Sequence, residues 1–237
     1  MPWSEPRARV VEPEILDHLP PGDPDAIQSR RDLRKVNAFM GHARLVAREL
    51  RDGAPTPQRI VELGAGDGTL LLRAARRLGR RRARARAVLV DLQPSISRQT
   101  RASFDALGWD VETQQADVFD WLSRPQPQSA DLTVANLFLH HFREPELAAL
   151  FVLLSRQTRR FAAAEPLRSA TALAGASLLV LIGCNAVTRH DARVSVRAGF
   201  RGDELSALWP EGRGWRVEES RAGPFTHFFR AWLADAR

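Results

Sequence analysis

Ile60-Val61-Glu62-Leu63-Gly64-Ala65-Gly66-Asp67-Gly68-Thr69 decides the fold. An apolar run of strand length meets a turn with three glycines, and a helix pattern starts at once behind it. In that helix Leu71, Ala74, Ala75 and Leu78 share one stripe, over Thr69 to Leu78. Outward from there, strand-like runs at Arg59 to Leu63, Ala85 to Asp91, Trp109 to Thr113 and Asp131 to Leu137 alternate with helical stretches such as Glu144 to Ser155. Strand–helix alternation requires crossovers, so the fold class is α/β with a mostly parallel sheet covered on both faces. Trp215 to Glu219 and Phe225 to Leu233, joined through Gly223-Pro224, read as an antiparallel hairpin that finishes the sheet. Upstream, Asp23 caps a helix opened by Pro24, and a second helix carries Ala43, Val46, Ala47 and Leu50 on one face and ends near Gly53 and Pro55.

The glycine turn selects its ligand by what it lacks. A dinucleotide fingerprint needs a third glycine where Thr69 stands, and a phosphate loop needs a lysine that is absent here. Glu62, at the end of the first strand, would repel a pyrophosphate and favour a cation. Asp91 closes the second strand, where an acid accepts from both hydroxyls of a ribose. Asp117 follows the third, within reach of an adenine amino group. Three acids beside a glycine turn suit a nucleoside that carries no phosphate and a positive charge.

At this point the chain resembles the class I S-adenosylmethionine-dependent methyltransferases, over roughly Gln58 to Glu165. E-L-G-A-G-D-G-T matches the family's first motif, V-L-V-D its ribose acid, Q-A-D-V its adenine motif and A-D-L-T-V-A-N-L-F-L-H-H-F its fourth-strand motif. The resemblance implies a Rossmann-like, doubly wound, seven-stranded sheet with a reversed last strand. Residues 1–54 would form a helical cap or lid and residues 55–237 the core. It implies S-adenosylmethionine as cofactor and S-adenosylhomocysteine as product. Glu62, Gly64, Ala65 and Gly66 would line the methionine end, Asp91 and Leu92 the ribose, Asp117 and Val118 the adenine, and Asn136 and Leu137 the edge near the sulfonium. Arg34 or Asn37, from the lid, would reach the methionine carboxylate.

Methyl transfer to a hydroxyl needs alignment and a base, and histidine is the usual base near neutral pH. The candidates are His140 and His141 after the fourth strand, and His190, which Asp191 would orient; His227 reads as a core or edge residue. Leu167 to Ile182, with Phe138, Phe142, Met40 and Phe39, would enclose a small, apolar, aromatic acceptor. Asn136, Glu165 and Asp191 are too few to hold a divalent ion, so no metal is expected. Asn136-Leu137-Phe138-Leu139 lacks the prolines and aromatic clamp of an N-methylating site. The expectation is O-methylation of a phenolic, quinone-like or polyketide-type molecule in secondary metabolism; C-methylation of an aromatic carbon, or RNA binding through arginines, are the alternatives.

Composition bounds these readings. At 237 residues, 44% hydrophobic and 27% charged, the chain has the make-up of a globular protein, and its single cysteine, Cys184, excludes an internal disulfide. The net charge of +7 is local: eight arginines and no acid lie between Arg73 and Arg86. Helical spacing puts Arg73, Arg76, Arg77 and Arg80 off the apolar stripe, and the rest run through the connection to the second strand, at the sheet edge opposite the crevice, so a solvated surface is expected rather than a nucleic-acid site. The first residues lack a signal-peptide pattern, and the uncharged run Ser169 to Thr188 reads as a buried helix with its exit loop, not a membrane span. A cytoplasmic location is the expectation.

Overall fold

The computed structural model describes residues 8–20, 22–52, 56–79, 85–125, 128–212 and 214–234. Its seven strands are β1 (Arg59–Leu63), β2 (Arg86–Asp91), β3 (Asp110–Gln115), β4 (Leu132–Asn136), β5 (Arg160–Pro166), β6 (Trp215–Arg221) and β7 (Thr226–Leu233). They form one sheet in the order β3-β2-β1-β4-β5-β7-β6. β1 to β5 run parallel, and β7 runs antiparallel to both β5 and β6. The strand order reverses at β1, between β2 and β4. In an open α/β sheet a crevice forms there, outside the carboxyl ends of the strands.

Alternation along each strand feeds two cores. Ile60 and Leu89 pack under α3 (His42–Asp52), α4 (Thr69–Leu78) and α5 (Arg98–Asp105), together with Val46, Leu50, Leu71 and Phe104. Val61, Leu63 and Val90 pack on the other face under α6 (Val118–Ser123) and α7 (Glu144–Gln157), with Trp121, Leu150 and Phe151. The sheet is thus wound on both faces. α2 (Pro24–Met40) begins as its sequence requires, with Asp23 accepting from the backbone N–H groups of Asp25 and Ala26 and Pro24 in the first turn.

Two elements differ from expectation. β5 was not evident because Phe161-Ala162-Ala163-Ala164 has no period of two: all seven residues of the strand are buried, and alanine is a poor strand signal. The uncharged run is α8 (Ala170–Leu178), a 3-10 turn, and the start of α9 (Ala186–Ala198). It is not a buried helix, since Leu178, Val180, Leu181 and Ile182 are exposed. Absence of charge does not specify burial. The expected helix end at Gly53 and Pro55 lies outside the described residues, as do Arg80, Arg81, Arg82 and Arg84 of the basic cluster. Among the described residues, no helix is long and apolar enough to cross a membrane.

Ahead of α2, residues 8–18 run as a strap over the end of β4. The Arg9 guanidinium donates to the carbonyls of Ala198 (2.6 Å), His140 (3.0 Å) and Phe142 (2.6 Å) and lies 4.4 Å from the Phe200 ring centre. Asp191 accepts from the N–H groups of Ile15 (2.9 Å) and Leu16 (3.0 Å) at α1 (Ile15–His18). These ties bring Leu16 and Asp17 to the mouth of the crevice.

Candidate functional site

The crevice is a cavity of about 970 Å³ lined by the glycine turn, the ends of β2, β3 and β4, α2 and the strap. Gly64 and Gly66 shape its floor with φ of 65° and 53°, in the left-handed region where a side chain is strained. A Cβ on Gly64 would stand 2.4 Å from a ring carbon of Phe138, so the first turn and the loop after β4 touch there. At Gly66 nothing lies within 4 Å of that direction, which leaves the backbone open to a ligand. Asp91 ties the turn down: one carboxylate oxygen accepts from Gly66 N–H and the other from Gln93 N–H, each at 2.8 Å.

Of the residues the resemblance assigns to the cofactor, Gly64, Gly66, Asp91, Leu92, Asp117, Val118, Asn136, Leu137 and Arg34 line this cavity. Asn37 lines it too. Arg34 reaches across from α2 to within 3.9 Å of Asp67 in the glycine turn. Asp117 has a second task, since its Oδ1 accepts from Phe119 and Asp120 and caps α6. Leu137 holds φ of 50°, the one non-glycine residue in the left-handed region among those described.

Two assignments need correction. Ala65 is buried, and Glu62 lies beneath the turn, 2% exposed, accepting from the Leu71 N–H; neither lines the cavity. The physical reason is the strand's alternation, which turns Glu62 into the helix-covered face. Burial, with Asp67 and Asp91 close by, pushes the Glu62 carboxyl well above the usual range. Its Oε2 has no partner. Asp67 and Asp91, which line the cavity, make the turn a cradle for positive charge, and the open backbone at Gly66 admits the ligand. The residues present therefore fit an S-adenosyl sulfonium.

The histidines separate sharply. Asp191 does pair with His190, 3.0 Å from its Nδ1, while also accepting from the α1 backbone, but the His190 side chain is 51% exposed and does not line the cavity. His140 does not line it either. It is buried, with Nδ1 2.8 Å from Glu165 and Nε2 3.4 Å from Glu14. Burial alone would lower its pKa, but hydrogen bonds and charge from those two carboxylates lift it to about 9. A permanently protonated imidazole is no base at neutral pH. His141, next in sequence, does line the cavity, with Asp17 3.9 Å away. Burial and the His140 charge lower its pKa, against opposing pulls from Glu14, Asp17 and Glu165. Glu14, His140 and His141 also bring ligand-type atoms within 4.8 Å of one another, so a cation could be held there only by displacing the His140 proton.

Sequence reasoning missed three groups that build this wall. Glu165 accepts from Phe138 N–H (3.0 Å) and Leu139 N–H (2.9 Å) and so fixes the loop after β4. His42, fully buried, bonds Asn136. The strap supplies Leu16 and Asp17. None has a local signal, because each acts across more than 25 residues of chain. The expected apolar wall is also revised: Phe138 and Phe142 line the cavity, whereas Phe39 is 80% exposed and neither Met40 nor any residue from Leu167 to Ile182 contributes. Arg73, Arg76 and Arg77 line the cavity as well, so this part of the basic cluster does not face away from the crevice. Arg76 also donates to Ser103 Oγ of α5 at 3.0 Å.

Comparison with known proteins agrees with this geometry. Residues 60–160 match a family model described as a methyltransferase domain, and no curated protein matches the chain. The plantazolicin methyltransferase BamL, solved with a triazolic desmethylPZN analogue and SAH, superposes with TM-score 0.64 at 11% identity, covering 89% of this chain and 91% of that one. The mitomycin 7-O-methyltransferase MmcR gives 0.58 at 17%, covering 92% and 60%. The N,N-8-amino-8-demethyl-D-riboflavin dimethyltransferase RosA of Streptomyces davawensis gives 0.56 at 15%, covering 94% and 62%. At such identities the likeness speaks to the fold. With the glycine turn and the methyltransferase-domain match over residues 60–160, it supports a class I S-adenosylmethionine-dependent methyltransferase. Its cofactor is S-adenosylmethionine.

Proposed function

We propose that the protein methylates a hydroxyl of a small, apolar, aromatic molecule, of the phenolic, quinone-like or polyketide kind. The observation that carries this reading is His141, the one histidine lining the cavity among the described residues, set beside Phe138, Phe142 and Leu16. Bound S-adenosylmethionine supplies an electrophilic methyl group on a sulfonium. Gly64, Gly66, Asp91, Asp117 and Arg34 hold it in this reading. Phe138, Phe142, Leu16 and Leu33 flank the acceptor and exclude water. His141, kept neutral near pH 7 by burial and by the His140 charge, takes the hydroxyl proton. Residues 8–40 act as the cap that closes the acceptor side, while α3 stays with the sheet as part of its covering layer.

Calorimetric titration with S-adenosylmethionine and S-adenosylhomocysteine, followed by methyl-transfer assays on a panel of phenols and hydroxyquinones, tests this. Binding of both nucleosides and turnover of an oxygen acceptor are expected. Nucleoside binding with transfer to amines alone would overturn the acceptor assignment.

A further inference from the structure

Behind Asn136 lies a buried relay that the cofactor does not require. His42 opens α3 directly after Gly41, which is left-handed at φ of 73° and ends α2. The His42 ring is 0% exposed. Its Nδ1 stands 2.5 Å from Asn136 Oδ1 at the end of β4, and its Nε2 stands 2.8 Å from Thr226 Oγ1 at the start of β7. Three elements far apart in sequence thus converge on one ring.

The pairing fixes protons. An amide oxygen only accepts, so His42 Nδ1 must donate to it. A neutral ring then leaves Nε2 to accept, and the Thr226 hydroxyl donates to it. Burial lowers the His42 pKa, offset in part by Asn136 and Glu165, which favours the neutral ring. Asn136 lines the cavity, and its Nδ2 has no partner among the described residues. The amide therefore presents N–H donors, not its oxygen, to whatever occupies the acceptor side.

We propose that His42 is a specificity-determining positioning residue that, by holding Asn136 with Nδ2 toward the cavity, selects oxygen acceptors over amines. The reason is lone-pair arithmetic. A phenolate oxygen attacks with one lone pair and keeps others to accept from Nδ2. A neutral amine has one lone pair, needed for attack, and its own N–H groups then face a donor. Leaving such groups opposed in a dry site costs far more than a missing apolar contact. This inference deepens the O-methylation reading and rests on it for the transfer step alone; the proton arrangement stands independently.

The test begins with the cofactor-product complex, using long-range 1H–15N spectra of histidine-labelled protein with His42→Gln to assign the resonance. An Nδ1–H tautomer is expected; an Nε2–H tautomer means that Asn136 is turned over and overturns the proposal. Next, 2-naphthol and 2-naphthylamine serve as matched oxygen and nitrogen acceptors. Wild type should prefer the naphthol. Asn136→Asp, which replaces the donor with a carboxylate, should cut the oxygen-to-nitrogen ratio of kcat/KM by about 10- to 100-fold. His42→Leu should act the same way, while His42→Gln, whose amide can still donate to Asn136, should keep most of the preference. An unchanged ratio in Asn136→Asp, or wild-type preference for the amine, overturns the proposal. If His42→Leu does not fold, the Asp and Gln variants and the tautomer still decide. Should wild type turn over neither probe, the acceptor reading has failed for this pair, and the tautomer alone decides the role of His42.

Discussion

On the β1–β3 side of the crevice, Gly64, Gly66, Asp91 and Asp117 all come from the end of a strand or the turn behind it. On the β4–β5 side, one wall needs Glu14, Leu16 and Asp17 from the strap, His42 from α3, His141 from the loop after β4, Glu165 from β5 and Thr226 from β7. The first side reads a nucleoside through short, contiguous motifs. The second, in the proposed reading, positions a nucleophile through contacts that span most of the chain. A fold can vary its acceptor while keeping its cofactor because the two sides are assembled independently.

They meet at Gly64 and Phe138, and the largest effect is expected there. Gly64→Ala combines a left-handed φ with a Cβ 2.4 Å from the Phe138 ring. It should weaken S-adenosylhomocysteine binding by more than about 100-fold and lower Tm by several degrees, read by calorimetry and thermal melting. Unchanged binding would mean that the two sides do not share this joint.

Next in size, His141→Ala should lower kcat by about 10² to 10⁴-fold with cofactor affinity unchanged. Asp91→Ala should do the reverse, raising the Kd for S-adenosylmethionine more than it lowers kcat. Single-turnover and binding assays on the two variants separate the sides. A third substitution, Glu165→Gln, leaves the protonated His140 without its buried partner and should cost about 3–5 kcal/mol of stability in denaturant unfolding. His190→Ala should stay within about threefold of wild type in kcat, since an exposed ring outside the cavity takes no part.

The smallest effect sharpens the contrast between neighbours. His140 has a folded-state pKa of about 9, above its usual value of 6.5. Its contribution is therefore fully present below about pH 6.5 and is lost as pH rises through about 9. Wild-type Tm should fall over that window, and His140→Gln should flatten the fall. A wild-type Tm that holds steady from pH 7 to 10 would remove the buried ion pair from the account.

What could be read in advance follows the same division. The four motifs, the parallel core and the closing hairpin were legible because strands, turns and caps are local, and their periods and glycines record them. β5 was hidden by its alanines. His140 and His141 could not be told apart in sequence, although only His141 lines the cavity. A side chain's neighbours, not its position after a strand, decide whether it holds a proton permanently or exchanges one. Glu62 and the described arginines of α4 show the same limit in reverse: the acid at the strand end turns into the core, and the bases on the solvent stripe reach back to the mouth.

Sequence alone thus determined the class of fold, the cofactor and the strand ends that meet it, since these rest on backbone conformations that particular residues favour within a few positions. Only the tertiary structure decided which histidine lines the cavity, what holds Asn136, and where the strap and Glu165 fix the loop after β4. Those outcomes depend on burial and on hydrogen bonds between residues as many as 189 positions apart, which come into being only when the sheet closes.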